Sequence, residues 1–328
     1  MLPCMRRPDP PLPAVFTHVQ ARVAGLTSQQ VQRRVASGRW RRLRQGCYCL
    51  ATVWQDGDRT RRHLLATWAA VLSTGADHWV SHASAAVLHG LPMPFTDVPV
   101  VLTHPPGTAT RYLRGLEIMA ASVDEEHRTR RRGLAVTSEA RSVADCLRHL
   151  GTIDAVAVAD AAVRRTPQLR PVIAAVLESM RAWPYSEHAR DSWHHVDGRR
   201  ESPAESWSYA AMLRQRLPLP EPQVLVYDER GVFVARVDAW WDEWAVVGEV
   251  DGLVKYQTAP GADRRAAGRR LVKEKRREDA LRRLDARVVR WGTHDLRDER
   301  RWAADLRAEL SRGDRSKFRG TVRTTPWV

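Results

Sequence analysis

The sequence is short of lysine, of cysteine and of long apolar runs. Only four of its 53 Lys and Arg residues are lysine, namely Lys255, Lys273, Lys275 and Lys317. An excess so biased towards arginine is expected in part from genome base composition, so bulk charge alone identifies no partner. Four cysteines, Cys4, Cys47, Cys49 and Cys146, make no disulfide framework for 328 residues, and no Cys-x-x-Cys pair supports a zinc site. Cys47 and Cys49 point the same way from one strand and read as packing residues. No run approaches the roughly 18 to 20 apolar residues of a bilayer span. The opening residues Met1 to Pro8 also lack the apolar segment of a secretion signal, so a cytoplasmic protein with no membrane partner is expected.

What is present is positive charge, and it is unevenly placed. At 37.2 kDa and 43% hydrophobic residues, the chain can build about two ordinary domains. Its formal charge is +15 with a pI near 10.6, which suggests a polyanionic partner, nucleic acid first. Residues 1–50 carry nine basic residues against one acidic, residues 51–200 carry 18 against 16, and residues 201–328 carry 26 against 21. More than half of the excess therefore sits in less than a sixth of the chain.

That first segment has a readable pattern. Val15 to Val23 reads as a short helix, Gly25-Leu26-Thr27 as a break, and Thr27 or Ser28 as the cap of a second helix over about Ser28 to Ala36. Val31 and Val35 lie at i and i+4 for the core, leaving Gln29, Gln32, Arg33 and Arg34 on the other side. Trp40 to Leu50 reads as two strands turning at Gln45-Gly46. A helix-turn-helix followed by a basic hairpin is the order of a winged helix. Polar groups at the start of the second helix can reach base edges in double-stranded DNA, while Arg39, Arg41, Arg42 and Arg44 neutralise phosphates. A solvated basic face on a small helical domain is the alternative.

Gly25-Leu26-Thr27 through Arg33-Arg34, then Ser37-Gly38-Arg39-Trp40-Arg41-Arg42-Leu43 and Gly46-x-Tyr48, resembles the N-terminal winged helix of AbiEi-type antitoxins of type IV toxin–antitoxin systems. Ser81 to Leu91 and Ala140 to Asp145 extend the likeness, which covers the first half to two thirds of the chain. It implies a DNA-binding, self-repressing regulator with a possible cognate toxin.

In the middle, residues 59–75 and 81–90 read as helices and Val98 to Leu102 as a buried strand. Helices are also expected over Thr137 to Leu150, Ile153 to Arg165 and Arg170 to Arg181. His82 and His89 share a helical face, but no carboxylate or cysteine shares their spacing, so a core or surface pair is expected rather than a metal or catalytic site.

The polar stretch from Tyr185 to Arg200 is the expected boundary. Beyond it, Glu201 to about Gln215 reads as a helix with Pro203 near its start, and strands are expected over Gln223 to Tyr227, Val232 to Trp240 and Trp244 to Val250. If Asp242-Glu243 closes the second hairpin, Asp238 faces Val247 and Arg236 faces Glu249, and Asp238, Glu249 and Asp251 share one face. Asp238 and Glu249 are then diagonal neighbours about 7 to 8 Å apart, a spacing suited to one hard cation such as Mg²⁺. Alternatively Arg236 pairs with Glu249, while Asp238 and Asp251 finish turns or bind neighbouring arginines.

A helix with Glu205, a strand-borne Asp238, a hairpin, Glu249-x-Asp251 and a nearby Lys255 resembles the restriction-endonuclease-like (PD-(D/E)xK) superfamily, especially its very-short-patch-repair-like branch. The basic stretch Lys273 to Leu281 and the strand Arg287 to Trp291 continue the likeness. It implies that Asp238 and Glu249 hold Mg²⁺, that Glu205 or Glu201 adds a carboxylate, and that the metal activates water for attack on a phosphodiester. Lys255 would orient that water or steady the charge on phosphate. Asp251 stands where the family has lysine and Val237 where it has proline, so Lys255, Lys273 and Lys275 are the candidate substitutes.

The expected architecture is α/β (α+β): a winged helix over 1–55, a mainly helical connector or antitoxin-like region over 56–198, and a restriction-endonuclease-like domain over 199–328. The expected function is a DNA-binding antitoxin-like regulator, the alternative an Mg²⁺-dependent endonuclease of a defence or repair system.

Overall fold

The computed structural model describes residues 10–75, 77–107, 109–251 and 264–326, with side chains from 274 onward in the last stretch. Among the described residues the chain is a mixed α/β protein with twelve α-helices and three sheets. It divides into two compact units, residues 1–146 and 147–328.

The first unit opens with β1 (Phe16–Thr17), α1 (His18–Val23), α2 (Ser28–Ala36), β2 (Trp40–Arg44), β3 (Cys47–Leu50) and α3 (Ala51–Gln55). The expected first helix is split: Phe16 and Thr17 pair with Tyr48 and Cys47, and only from His18 is the chain helical. Thr17 and Thr27 each cap a helix, and Gln20 and Gln30 return the bond to the cap backbone. These capping boxes fix both starts. The two helices and the three-stranded sheet, ordered β1-β3-β2, close over Phe16, Ala21, Leu26, Val31 and Trp40. Gly46 turns the β2–β3 hairpin at φ +72, a conformation favouring glycine. Cys47 and Cys49 are both buried. Burial pushes both thiols up, Cys49 to about 11, which suits packing and not reactivity.

The same unit continues through α4 (Arg59–Thr74), β4 (Trp79–Val80), α5 (His82–Leu88), β5 (Val100–His104), β6 (Arg111–Leu113), β7 (Leu116–Ala120), β8 (Arg128–Arg131), β9 (Leu134–Thr137) and α6 (Glu139–His149), which crosses the division. The strands form a six-stranded sheet ordered β6-β7-β5-β4-β9-β8. The sequence predicts a mainly helical region here with one strand, and the sheet corrects that expectation. The additional strands are two to five residues long, and the outermost pair, Arg111-Tyr-Leu and Arg128-Thr-Arg-Arg, are largely exposed, so neither carries an apolar alternation. His82 and His89 are both buried. His89 donates from Nε2 to the Thr137 carbonyl at 2.8 Å and accepts from Arg131 Nε at 3.2 Å.

The second unit contains α7 (Thr152–Arg165), α8 (Leu169–Ser179), α9 (Ser186–His194), α10 (Pro203–Arg214), β10 (Glu221–Tyr227), β11 (Phe233–Trp241), β12 (Val246–Asp251), α11 (Arg264–Arg283), β13 (Arg287–Gly292), α12 (Glu299–Leu310) and β14 (Thr321–Arg323). Its sheet runs β13-β12-β11-β10-β14, antiparallel except for β12 with β13. Residues 185–200 are not a linker between compact units. They form α9 and a turn whose Asp197 and Arg200 are buried. Arg200 grips Asp160 of α7 at 2.6 Å, and Asp160 also accepts from Ser206 Oγ at 2.6 Å and from the Asp197 amide at 2.7 Å. The charged residues Asp160 and Arg200 sit inside here because each meets the other.

Buried His63 gives the fold a pH signature. Its Nε2 lies 2.9 Å from Ser84 Oγ, and burial, helped by the Arg59 charge, lowers its pKa from 6.5 to about 4. A histidine whose folded pKa is depressed contributes stability in full above its unfolded pKa and loses it as pH falls. Between pH 6.5 and 4 the loss amounts to about 3 kcal/mol. Urea unfolding of His63→Gln should show a flatter fall in stability over this window than the native chain. Parallel curves would place the acid sensitivity elsewhere.

Candidate functional site

Two groups of residues carry the chemistry expected of this chain, one in each unit. In the first unit α2 buries Val31, half-buries Val35 and exposes Gln29, Gln32 and Arg33. On the neighbouring hairpin Arg41 and Arg42 are exposed, whereas Arg34, Arg39 and Arg44 are half-buried. Arg34 lies over the Trp40 ring at 5.5 Å, and Arg41 stacks over Trp54 at 4.5 Å. The eight expected residues are thus brought onto one small sub-structure but not onto equal terms. Gln29, Gln32, Arg33, Arg41 and Arg42 are the exposed members, Arg41 and Arg42 pointing to opposite sides of β2 as successive strand residues do, and Arg34 packs on Trp40. β2 is also the edge of its sheet, where charged side chains discourage pairing with another strand.

In the second unit the hairpin register differs from the expected one. Ala239 pairs with Gly248, Trp240 with Val247 and Trp241 with Val246. The connection is not a two-residue turn. It is a 3-10 turn over Asp242–Trp244 closed by Ala245 at φ 48. The partner of Asp238 moves by two residues and parity survives: the register carried one step further sets Asp238 opposite Glu249. Gln223, between the Pro222–Ala239 and Val224–Val237 pairs, flanks Asp238 on the other side. Its φ of +54 marks an irregular strand there.

Around these strands the acids are closely attended. Glu205, buried at the start of α10, accepts from Ser202 Oγ at 2.7 Å, the Glu201 amide at 2.9 Å and Gln223 Nε2 at 2.8 Å. Burial, and after it the negative charge of Asp238, pushes the Glu205 carboxyl up from its ordinary value. Asp238 accepts from the Val250 amide at 2.9 Å. Glu249, 5% exposed, is paired with Arg277 of α11. Arg236 does not pair with Glu249. It bonds Glu201 at 2.7 Å, because the register carries it past. Asp251 ends β12 half-buried. Lys255 lies outside the described residues, as does the Lys273 side chain, and Lys275 is exposed.

The structure therefore sets Glu205 near Asp238, which acts on its charge, puts Glu249 on the adjoining strand, and adds Gln223 and Arg277 as partners of Glu205 and Glu249, which sequence reasoning misses. Among the described residues no group of three or more His, Cys, Asp or Glu is placed to hold one, and the acids are met by amides, a hydroxyl and a guanidinium. In the sequence Arg277 is one of several arginines in a basic helix, and Gln223 carries no signal at all.

No family model and no curated protein matches this chain. Among solved structures it is similar to the Rv2827c protein from Mycobacterium tuberculosis, at 14% identity and a TM-score of 0.35, over 64% of this chain and 80% of that one. A likeness at that score supports no inference about site or activity.

Gly248 shows how tightly the acidic strand is held. A Cβ there would lie 2.6 Å from the Trp291 ring, 2.9 Å from Trp241 and 3.0 Å from Ala239. Both indoles are pinned, Trp291 to Ser208 Oγ at 2.7 Å and Trp241 to the Pro218 carbonyl at 2.8 Å. Gly248→Ala should cost about 1 to 3 kcal/mol by overpacking, read as a lower urea midpoint. An unchanged midpoint would mean that the rings yield freely.

Proposed function

We propose that the chain is a DNA-binding regulator of the antitoxin type, probing double-stranded DNA with α2 and the β2–β3 hairpin in the manner of a winged helix. The single observation that supports this most is the separation of faces on α2. Val31 is buried while Gln29, Gln32 and Arg33 are exposed, as are Arg41 and Arg42 of β2, in the segment that holds more than half of the net charge. Glutamine supplies the paired donor and acceptor that read adenine, and arginine supplies charge for phosphate. Self-repression and a cognate toxin belong to the same proposal, as does a restriction-endonuclease-like second unit that binds without cutting.

The test is a fluorescence-anisotropy titration of the full chain on its own upstream sequence and on random duplex. The native chain should prefer the former. Arg41→Ala/Arg42→Ala should weaken both, with a salt dependence shallower by about 0.9 for each phosphate no longer neutralised, roughly 1.8 in all. Gln32→Ala should change the preference and leave the salt slope alone. Equal affinity for both duplexes by the native chain would overturn the regulator reading.

A second reading, a metal-dependent endonuclease, has the proximity of Glu205 to Asp238 and the strand-borne Glu249 in its favour and the Arg277 pair against it. It requires Mg²⁺-dependent nicking or cleavage that EDTA and Asp238→Ala both abolish. Identical traces for native and variant chains leave a binding protein.

A further inference from the structure

The acidic cluster of the second unit has a chelating sequence pattern and a different solution in space. We propose that Arg277 is the resident counter-ion of Glu249 beside Asp238, and that its guanidinium closes this acidic site to hard cations. This stands independently of the DNA-binding reading of the first unit.

Three observations carry it. First, the ladder ends at the Ala239–Gly248 pair, and carried one step further it sets Asp238 opposite Glu249, the juxtaposition that two acids need if they are to share one cation. Second, Glu249 is buried and a charge that answers it comes from α11, through Arg277, whose own side chain remains 35% exposed. A guanidinium is permanently charged and offers planar donors, so it cannot deprotonate to make room for a metal. Third, two neighbouring cations are directed elsewhere. Arg290, paired with Glu249 across the β12–β13 ladder, turns to Glu278 at 3.1 Å and Glu274 at 3.7 Å, and Arg236 turns to Glu201. Arg277 is thus delivered to Glu249 from outside the sheet. The surrounding donors reinforce the exclusion. Mg²⁺ demands a near-octahedral set of oxygens and sheds its water reluctantly, whereas Asp238 and Glu205 already accept hydrogen bonds from the Val250 and Glu201 amides, Ser202 and Gln223. A metal entering here must displace a bound guanidinium as well as its own hydration shell.

The role has a gain-of-binding consequence that a merely structural ion pair lacks. Mn²⁺, followed by the loss of its free EPR signal, is titrated against the full native chain, Arg277→Met, and Arg277→Met/Asp238→Asn. The native chain should take up no Mn²⁺ at this site. Arg277→Met should gain one site at least tenfold tighter than anything the native chain shows, and the added Asp238→Asn should remove it. Arg277→Gln, which keeps a donor to Glu249 and drops the charge, serves as the second variant if Arg277→Met does not fold. Two results overturn the proposal. One is a native chain that binds one Mn²⁺ as tightly as the variant and loses it with Asp238→Asn. The other is a folded Arg277→Met or Arg277→Gln chain that gains nothing. Neither result bears on duplex binding by α2, so failure here is distinguishable from failure of the regulator reading.

Discussion

An ionised carboxylate taken out of water must be met by an opposite charge or by several donors, and otherwise it neutralises or the structure rearranges. Much of the second unit follows from that requirement. Asp160, buried on α7, is answered by Arg200, Ser206 and a backbone amide, and this ties the polar turn after α9 into the interior. Glu249 is answered by Arg277, which ties α11 to the sheet. The first unit uses the same pairing within α6, where Arg141 and Asp145, both almost wholly buried, meet at 3.0 Å. Arginine suits such positions because its rigid fork keeps its charge and directs several hydrogen bonds at once.

This division of labour changes what the composition means. A net charge of +15 invites a single electrostatic explanation, yet many arginines lie inside the fold or stack on indoles. Arg34 packs over Trp40, Arg148 over Trp183 and Arg170 over Trp193. Exposed arginines remain in both units; the exposed set on α2 and β2 is small, Arg33, Arg41 and Arg42. Its value lies in placement: an apolar stripe anchors the helix on one side and leaves glutamine and arginine on the other.

The local elements are largely legible in the sequence, and the assembly is not. Thr27 before Ser28-Gln29-Gln30 marks the start of α2, and Gly46 marks the hairpin, because cap and turn chemistry act over a few residues. Pro203 after Ser202 announces α10 in the same way. The six-stranded sheet escapes because its outer strands are short, arginine-rich and exposed, so nothing in them alternates. Residues 185–200 read as a boundary because polarity usually means solvent; the partner that makes Arg200 a core residue, Asp160, lies forty positions earlier in the chain. In the hairpin the parity of Asp238 and Glu249 is readable, but the two-residue shift is not. It depends on Ala245 adopting a left-handed conformation, which its side chain does not advertise. Arg277 cannot be singled out from its basic neighbours without knowing which side of α11 meets the sheet.

The most direct test is amide hydrogen exchange of the full chain with and without its upstream duplex. Protection on DNA addition should concentrate in Ser28–Ala36 and across the hairpin from Trp40 to Leu50. Protection confined to the second unit, with those two segments unchanged, would contradict the winged-helix reading.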